Sequence, residues 1–510
     1  MSHAPSTRRQ FLRDAGLAAA SSLLATDRLV AQTVERLAAN PYAPLPLVPG
    51  RESPVRVTGV VSSGGRPVAG AAITDGLDVV VTGADGRYTL RSDAARRWVS
   101  LSLPGGYAIP TAPNGTALLH RPLAPDARGE MRATFELTRL PQGDERHTLL
   151  VLADPQTQTA AEMARFHAET VPDVRATIAA AGHHAFGVSA GDIMYDHLEL
   201  YPEYVRGVRQ MGAPFFQLAG NHDLEYSERT TEGATRTFER HFGPPYYSFD
   251  RGRVHYVVLH DVFWHGAGYL GYLTDAQLRW LAADLARVER GAPVIVLTHI
   301  PVLGSLYARR GGRTPDASNA ITNRDALLRL LDPYAAHVLV GHMHESEHAT
   351  HGRTHEHVTG AVCGAWWSGD VCYDGTPNGY AVYEVNGEDV RWRYKATGRD
   401  ARDQLRVYAR GADPRAPDEI VANVWDWDPS WSVVWYEDGV RKGAMSRRTG
   451  LDPLSVRLHQ GDEKPATPRN WVEPVQTAHL FYAPVSRSAR EVRVEATDRW
   501  GRMYGAVASA

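Results

Sequence analysis

The stretch LAGNHD, residues 218–223, follows the apolar run PFFQL and sets an amide, an imidazole and a carboxylate side by side. Such an apolar run is typical of a buried strand, and Ala219 and Gly220 are typical of the turn that ends it. A polar turn with a local hydrogen bond would explain the stretch if it stood alone. The other strand ends of the chain therefore decide whether it is a turn or part of a site.

The same arrangement recurs at four other predicted strands in the middle of the chain. HTLLVLAD ends at Asp154 with Gln156 two residues on, AFGVSAGD ends at Asp192, PVIVLTH ends at His299, and HVLVGHMH carries His342 and His344. Helical stretches such as TDAQLRWLAADLARVER, residues 274–290, alternate with these strands, and this one opens with the capping pair Thr274 and Gln277. The alternation predicts an α/β core, in which the carboxyl ends of the strands share one edge. Five distant segments should therefore bring their polar side chains to one place.

The residue types at these strand ends predict a metal centre. Carboxylate, imidazole and amide oxygen, with no thiolate, suit Zn²⁺, Mn²⁺ or Fe. Seven donors exceed the need of one tetrahedral ion, whereas two ions about 3.5 to 4 Å apart that share a carboxylate would use them all. A centre of two divalent or mixed-valence ions is expected, with the choice among Mn, Fe and Zn left open.

In order along the chain, the motifs ADPQ, GD, GNHD, THIP and GHMH resemble those of the calcineurin-like metallophosphoesterases, over about residues 146–397. The resemblance implies one ion held by Asp154, Gln156, Asp192 and His344. It implies a second ion held by Asp192, Asn221, His299 and His342. It further implies that His222 is a proton donor beside the centre and that Asp223 orients its ring.

Two positions bear on which metals bind. Most members of that family carry His where this chain has Gln156, and an amide oxygen is a weaker donor than an imidazole. The stretch GDIMY places Tyr195 at the spacing by which purple acid phosphatases bind ferric iron through a tyrosinate. Those enzymes lack a side-chain donor at the place of Gln156. Tyr195 is therefore expected to pack or to wall the pocket rather than to bind metal.

The resemblance implies a metal-dependent phosphoric ester hydrolase. Two cations lower the pKa of a water between them, which gives a bridging hydroxide that attacks phosphorus in line. Protonated His222 would then give its proton to the departing alkoxide. The ligands suit a phosphodiesterase or a phosphomonoesterase (phosphatase), with an alkyl diester slightly favoured. A phosphotriesterase on the same metals would differ only in the charge of its substrate.

The segment GAWWSGDVCYDGTPNGY, residues 364–380, is predicted to wall the substrate pocket. Its candidate substrate-binding residues are Trp366, Trp367, Asp374 and Asn378. Aromatic rings there would suit a small-molecule phosphoester with a sugar, base or lipid headgroup. Core packing would explain at least one of the two tryptophans equally well.

The distribution of strand, helix and turn signals along the chain predicts four parts: a leader at 1–40, an N-terminal β-sandwich domain at 50–142, the catalytic domain at 145–397 and a C-terminal β-rich domain at 401–510. Short β-rich runs separated by Gly-Gly and Asp-Gly turns mark the flanking domains. The fold class is thus α/β, a metallophosphoesterase β-sandwich core flanked by helices, with β-domains on either side. This layout resembles a group of exported bacterial metallophosphoesterases.

The net charge of the chain bears on its binding partners, and its first residues bear on its cellular location. With Lys+Arg 55 against Asp+Glu 58, the formal charge is −3, so no nucleic-acid-binding surface is expected. Arg8 and Arg9 precede a short apolar segment, GLAAASSLLA, which resembles a signal for the twin-arginine translocation machinery. The chain is therefore expected to be exported to the periplasm or beyond, with no transmembrane segment. An amphipathic or disordered N-terminus is the alternative.

Three further interpretations stay open at this stage. Cys363 and Cys372 could form one disulfide or remain buried thiols. The histidines that follow GHMH could hold a third metal ion, but a solvated hairpin face is the expectation; they are His348, His351, His355 and His357. The 12 tryptophans and the flanking domains also allow a cell-envelope glycan-binding protein that keeps the core as a scaffold. WDWDPSW, residues 425–431, is expected to fill a sandwich core rather than to form a sugar platform.

Overall fold

The computed structural model describes residues 53–509. The predicted leader, residues 1–40, lies outside the described residues. Across the described part, no helix is long and apolar enough to cross a bilayer.

Nine short strands form two sheets at the N-terminal end of the described chain. They are β1 Pro54–Ser63, β2 Arg66–Pro67, β3 Ala72–Thr74, β4 Val79–Val81, β5 Arg87–Asp93, β6 Trp98–Ser102, β7 His120–Pro122, β8 Glu130–Arg132 and β9 Phe135–Glu136. β1 pairs with β2, β5, β8 and β9, and the second sheet has the order β4-β3-β6-β7. Every second residue of β1, from Val55 to Val61, is buried, because one face of the strand packs on a core. The predicted N-terminal β-sandwich is confirmed.

Two larger sheets form the middle of the molecule. Their strands and one small hairpin are β10 Arg146–Leu152, β11 His184–Ala190, β12 Phe215–Leu218, β13 Tyr247–Arg251, β14 Val254–Val258, β15 Val262–Trp264, β16 Tyr269–Gly271, β17 Pro293–Thr298, β18 Ala335–Val340, β19 Glu347–His351, β20 Thr354–Val358, β21 Gly379–Asn386 and β22 Asp389–Ala396. The first sheet has the order β12-β11-β10-β21-β22, and the second has the order β13-β14-β17-β18-β20-β19. In the first sheet β10, β11 and β12 run parallel, and in the second sheet β14, β17, β18 and β20 run parallel.

Helices cover the outer faces of these sheets. The helices are α1 Ala160–Arg165, α2 Val171–Ala181, α3 Tyr201–Met211, α4 Thr231–Ala234, α5 Arg236–Phe242, α6 Asp275–Leu285, α7 Leu306–Arg309, α8 Arg324–Leu331 and, further along, α9 Pro453–His459. α1 to α3 pack on the first sheet, and α6 and α8 pack on the second. Between the sheets, Phe186 and Phe216 contact Phe249. The predicted α/β sandwich flanked by helices is confirmed.

Two four-stranded sheets follow the core. Their strands are β23 Leu405–Tyr408, β24 Glu419–Val424, β25 Ser432–Glu437, β26 Val440–Ala444, β27 Ser446–Gly450, β28 Thr477–Pro484, β29 Glu491–Thr497 and β30 Met503–Ser509. The orders are β23-β24-β28-β27 and β26-β25-β29-β30. Trp425 and Trp431 of WDWDPSW are buried, and Trp431 lies in the core between these sheets. The predicted C-terminal β-rich domain is confirmed.

Two local expectations are refined by the structure. α6 begins as predicted, because Thr274 accepts a hydrogen bond from the backbone N–H of Gln277, but it ends at Leu285 rather than continuing to 290. Cys363 and Cys372 are both buried free thiols, so the alternative without a disulfide applies.

Candidate metal centre

The predicted ligands lie at the carboxyl ends of five strands, drawn from both large sheets. Asp154, Asp192 and Asn221 follow β10, β11 and β12 of the first sheet. His299 follows β17 of the second sheet directly, and His342 follows β18. Because these strands run parallel within each sheet, their ends face the same side of the sandwich. The structure therefore brings the donors of both sheets together at one edge.

One ring nitrogen, His299 Nε2, lies at the centre of the first group of donors. It is 3.2 Å from Asp192 Oδ1, 3.2 Å from Asn221 Oδ1 and 3.2 Å from His342 Nδ1. The ligand atoms of Asp192, His299 and His342 all lie within 4.8 Å of one another. Four electron-pair donors this close repel one another unless a cation or a proton lies among them.

The second group shares Asp192 with the first. Gln156 Nε2 donates to Asp192 Oδ2 at 2.6 Å, and the Gln156 oxygen faces Cys363 Sγ at 3.7 Å. Asp154 Oδ1 and His344 Nε2 are 3.6 Å apart, and neither buried atom has a hydrogen-bond partner among residues 53–509. Leaving such groups unpaired costs about 1–3 kcal/mol each. A cation between them would satisfy both, so the residues present fit a metal ion here.

Backbone carbonyls fix which nitrogen each histidine presents to the centre. His299 Nδ1 donates to Ala190 O at 2.9 Å, and His344 Nδ1 donates to Gly364 O at 2.6 Å. His342 Nε2 donates to Ser318 O at 3.0 Å. The other nitrogen of each ring therefore faces the centre, as in histidines that bind metals.

The backbone at these positions is strained. Five of the seven predicted ligands have a positive φ: Asp154 50°, Gln156 40°, Asp192 49°, His342 68° and His344 50°. A Cβ on Gly220 would lie 2.1 Å from Asp192 Oδ1, so the glycine of GNHD is required for close approach. Strain of about 1–3 kcal/mol per residue persists where the surrounding structure enforces it, and it is concentrated at functional sites.

Burial and mutual charge perturb the pKa values of the group. Burial raises the pKa of Asp154 to about 8. For His299, burial lowers the pKa, but the Asp192 charge outweighs it and raises the pKa to about 10. Burial lowers the pKa of His342 to about 3 and that of His344 to about 4. Without a cation, His299 therefore holds a proton at neutral pH while the other two rings are neutral.

Metal binding should consequently release protons. A cation can bind His299 Nε2 only after that nitrogen loses its proton, so at pH 7.5 we expect about one proton or more to leave per centre filled. Calorimetric titration of the metal-free protein in two buffers with different ionisation enthalpies measures this release. Binding heats that are equal in the two buffers would contradict it.

The acid role predicted for His222 has a different partner from the one expected. His222 Nδ1 lies 2.7 Å from Asp196 Oδ1, whereas Asp223 accepts hydrogen bonds from the backbone of Ile193 and Met194, the backbone of Gly220 and the Tyr201 hydroxyl. The expectation that Asp223 orients His222 is therefore corrected. Asp223 ties the loop after β11 to the loop after β12, and Asp196 holds the ring. The signal for Asp196 is present in GDIMYD, four residues after Asp192.

The pKa of His222 reflects these neighbours. Burial lowers it, but the charge of Asp192 and the hydrogen bond to Asp196 outweigh burial, so the pKa lies above its ordinary value. The protonated form is thereby favoured near neutral pH.

Of the predicted pocket residues, the structure brings two beside the centre and leaves three elsewhere. The Tyr195 ring lies 4.4 Å from the His222 ring and 4.8 Å from the Trp366 ring, which stacks on His344 at 5.1 Å. Trp367 is buried and donates to Pro155 O at 2.9 Å.

Asp374 and Asn378 are also buried and make no contact with the predicted ligand side chains. Asp374 accepts from Ser346 N at 2.7 Å and pairs with His479 at 2.9 Å. Asn378 lies in a groove beside Asp370 and Arg399. The expectation that Trp367 and Asp374 wall the pocket is corrected, because hydrogen bonds within the fold already occupy them. The same expectation for Asn378 is corrected because the groove that it lines includes none of the predicted ligands.

The C-terminal part of the chain adds residues that the motifs did not indicate. Arg469 pairs with Glu162 and donates to Trp366 O at 3.1 Å. Trp471, which is half exposed, lies 6.2 Å from the Trp366 ring. These two residues are about 250 positions from GNHD, and no local pattern connects them to it.

The histidines after GHMH are not a solvated face, contrary to expectation. His355 and His357 are buried, the His348 side chain is 3% exposed, and only His351 of the four is exposed. Burial lowers the pKa of His355 to about 2 and that of His357 well below its ordinary value. The His355 and His357 rings are therefore neutral.

Three family models match the chain. The model described as calcineurin-like phosphoesterase matches residues 147–346, its N-terminal companion matches 55–140 and its C-terminal companion matches 356–504. No curated protein matches significantly.

Among solved structures, a purple acid phosphatase, PPD1, from yellow lupin (Lupinus luteus) is 12% identical, covering 64% of this chain and 67% of its own, with a TM-score of 0.36. GAP50, the anchor in the inner membrane complex of Plasmodium, is 12% identical over 49% of this chain and 84% of its own, with a TM-score of 0.32. The phosphopantetheinyl hydrolase PptH from Mycobacterium tuberculosis is 12% identical over 43% of this chain and 91% of its own, with a TM-score of 0.29.

Proposed function

We propose, since this chain belongs to the calcineurin-like phosphoesterases, that it hydrolyses a small-molecule phosphodiester at a centre of two metal ions. The family matches confirm the resemblance that the five motifs predicted. The same matches identify the chain as a metal-dependent phosphoric ester hydrolase.

The observation that carries the proposal is the crowding of donors around His299 Nε2, with three other donor atoms at 3.2 Å. We assign one ion to Asp154, Gln156, Asp192 and His344, and the other to Asp192, Asn221, His299 and His342. Gln156 would bind through its oxygen after its amide turns over. When bound, the two ions would supply an activated water and neutralise charge on the phosphoryl oxygens.

The chain's own residues would place a proton beside the leaving group. The Asp196 carboxylate holds His222 Nδ1, which leaves Nε2 to carry the proton toward the substrate. The negative charge of Asp192 stabilises the protonated ring. Transfer of that proton from Nε2 to the departing alkoxide would let a poor alkyl leaving group depart. A phosphodiester of an alkyl alcohol is the substrate class that needs such a donor most.

The aromatic side of the site supports an organic group on the substrate. Tyr195, Trp366 and Trp471 lie in ring contact one after another beside His222. Arg469 holds this wall through Trp366 O and Glu162. Aromatic faces of this kind suit a sugar, a base or a lipid headgroup.

The assay that tests the function uses bis(p-nitrophenyl) phosphate and p-nitrophenyl phosphate with Mn²⁺, Zn²⁺ or Fe²⁺ added to metal-free protein. We expect hydrolysis of both compounds, with the diester preferred. Turnover of neither compound with any of the three metals would overturn the proposal. Turnover of the monoester alone would overturn the diester assignment.

The tryptophans of the C-terminal domain do not support the glycan-binding alternative. Trp425, Trp431 and Trp435 in the C-terminal sheets are buried, so they cannot form an exposed sugar platform. Trp471 is half exposed, but it lies beside the metal centre, 6.2 Å from the Trp366 ring.

We also propose that the twin-arginine leader exports the protein. Arg8→Lys combined with Arg9→Lys should leave the protein in the cytoplasmic fraction, whereas Arg13→Lys, just outside the pair, should not. Cell fractionation followed by immunoblotting measures this. Periplasmic protein at the normal level in the double variant would contradict the export route.

A further inference from the structure

A second group of side chains of the types that bind metals lies on strands β18, β19 and β20 of the second large sheet. We call His337, His348, His355 and His357 the histidine cluster. His337 is paired with His355 across β18 and β20, and His348 is paired with His357 across β19 and β20. Since paired residues and residues two apart share a face of a sheet, all four rings project to the same side.

The rings approach one another through their nitrogens. His337 Nδ1 lies 3.0 Å from His357 Nε2, and His348 Nδ1 lies 3.1 Å from His355 Nε2. Ligand atoms of His337, His355 and His357 all lie within 4.8 Å of one another. In a tetrahedral zinc site with Zn–N bonds of about 2.0–2.1 Å, ligand nitrogens are roughly 3.3 Å apart. The His337–His357 and His348–His355 nitrogen pairs are already close to that spacing.

A carboxylate from the C-terminal part of the chain orients one of the rings. His348 Nε2 lies 2.8 Å from Asp426 Oδ1. A histidine that donates one N–H to a carboxylate presents its other nitrogen as a stronger ligand, the usual arrangement around protein-bound zinc. Here that other nitrogen is Nδ1, which faces the cluster.

Two buried atoms at the cluster are unsatisfied. His357 Nδ1 and Asp426 Oδ2 are buried and have no hydrogen-bond partner within the described part of the chain. Arg499 stacks on Trp392 above the cluster at 4.7 Å, but Asp428 pairs with it at 3.0 Å. The arginine charge is thus offset, and it does not by itself exclude a cation from the neighbouring rings.

We propose that the histidine cluster binds one Zn²⁺ ion, separate from the dinuclear centre. Its nitrogen-only set, without thiolate or directly placed carboxylate, suits zinc better than Mn²⁺ or Mg²⁺. The ion joins the edge hairpin β19–β20 to β18, and Asp426 links it to the C-terminal sheets. It stabilises the structure and takes no part in the hydrolysis.

A variant without the dinuclear centre tests the site directly. In the full chain carrying Asp154→Asn, Asp192→Asn, His299→Ala and His344→Ala, Co²⁺ titration should fill one remaining site and give the intense visible absorption of a tetrahedral ion. Zinc should displace the cobalt at one equivalent. Failure to bind Co²⁺ or Zn²⁺ would overturn the proposal and would mean that the rings are joined only by N–H···N hydrogen bonds. This result is independent of whether the protein hydrolyses phosphoesters.

Metal analysis of the otherwise unchanged protein gives the second test. His357→Gln should lower the zinc content by one equivalent and lower the thermal midpoint, while hydrolysis of bis(p-nitrophenyl) phosphate stays within about twofold. His351→Gln, on the same hairpin but exposed, is the matched control and should retain the full metal content. Equal zinc content in the two variants would overturn the proposal.

Discussion

Replacing Asp192 by Asn should lower kcat by about 10³-fold or more and reduce bound metal by at least one equivalent. The Asp192 side chain contacts side chains of both groups, with Oδ1 at 3.2 Å from His299 and Oδ2 at 2.6 Å from Gln156. Asparagine keeps the size but has one acceptor oxygen and no charge. It also removes the charge that raises the pKa of His222. Elemental analysis and kinetics on the diester measure the two effects.

A matched variant separates loss of the centre from loss of the fold. Asp374 is as buried as Asp192 and also pairs with a histidine, His479, but it lies outside the centre. Asp374→Asn should keep the metal content and should lower stability without a comparable loss of kcat. Full metal content and normal turnover in Asp192→Asn would contradict the assigned bridging role.

The sequence predicted candidate ligands at strand ends because residues such as Asp192 and His299 closely follow a strong apolar run. β11 and β17 are buried over most or all of their length, so their ends were visible as a change from apolar to polar residues. In parallel strands those ends meet on one side. The positions of Asp192 and His299 therefore follow from pattern alone.

The partner of His222 could not be predicted in the same way. Asn221–Asp223 forms one 3₁₀ turn, in which successive side chains diverge by about 120°. Adjacency in GNHD therefore puts Asp223 on a different side from His222. Asp196 reaches the ring from another loop, through a contact that only the fold creates.

The histidine cluster shows a similar limit. β19 is the edge strand of its sheet, and alternating histidines on an edge hairpin are ordinarily solvated. Here Asp426, in the loop after β24, contacts His348 from 78 residues away, and the His348 side chain is 3% exposed. Long-range packing of this kind leaves no mark in the local pattern. For the same reason Arg469 and Trp471 were not expected near the candidate metal centre.

His222→Ala should lower kcat for an alkyl diester by roughly 10²- to 10⁴-fold while leaving the metal content intact. His222 is not among the predicted ligand side chains, so its loss removes the proton donor and not the ions. The loss should be smaller for bis(p-nitrophenyl) phosphate, because nitrophenolate leaves without a proton. Kinetics on the two substrates, together with elemental analysis, measure the difference. An equal loss on both substrates would contradict the acid role.

Substitutions of Asp196 and Asp223 separate an effect on the position of the His222 ring from an effect on folding. Wild-type activity should fall as pH rises through the pKa of His222, which lies above its ordinary value. Asp196→Asn removes a negative charge that raises this pKa, so the alkaline limb of the kcat profile should move to lower pH. Asp223→Asn leaves that contact in place but puts an N–H group against backbone donors, which should cost about 1–3 kcal/mol in urea unfolding. A shift of the alkaline limb in Asp223→Asn and not in Asp196→Asn would return the orienting role to Asp223.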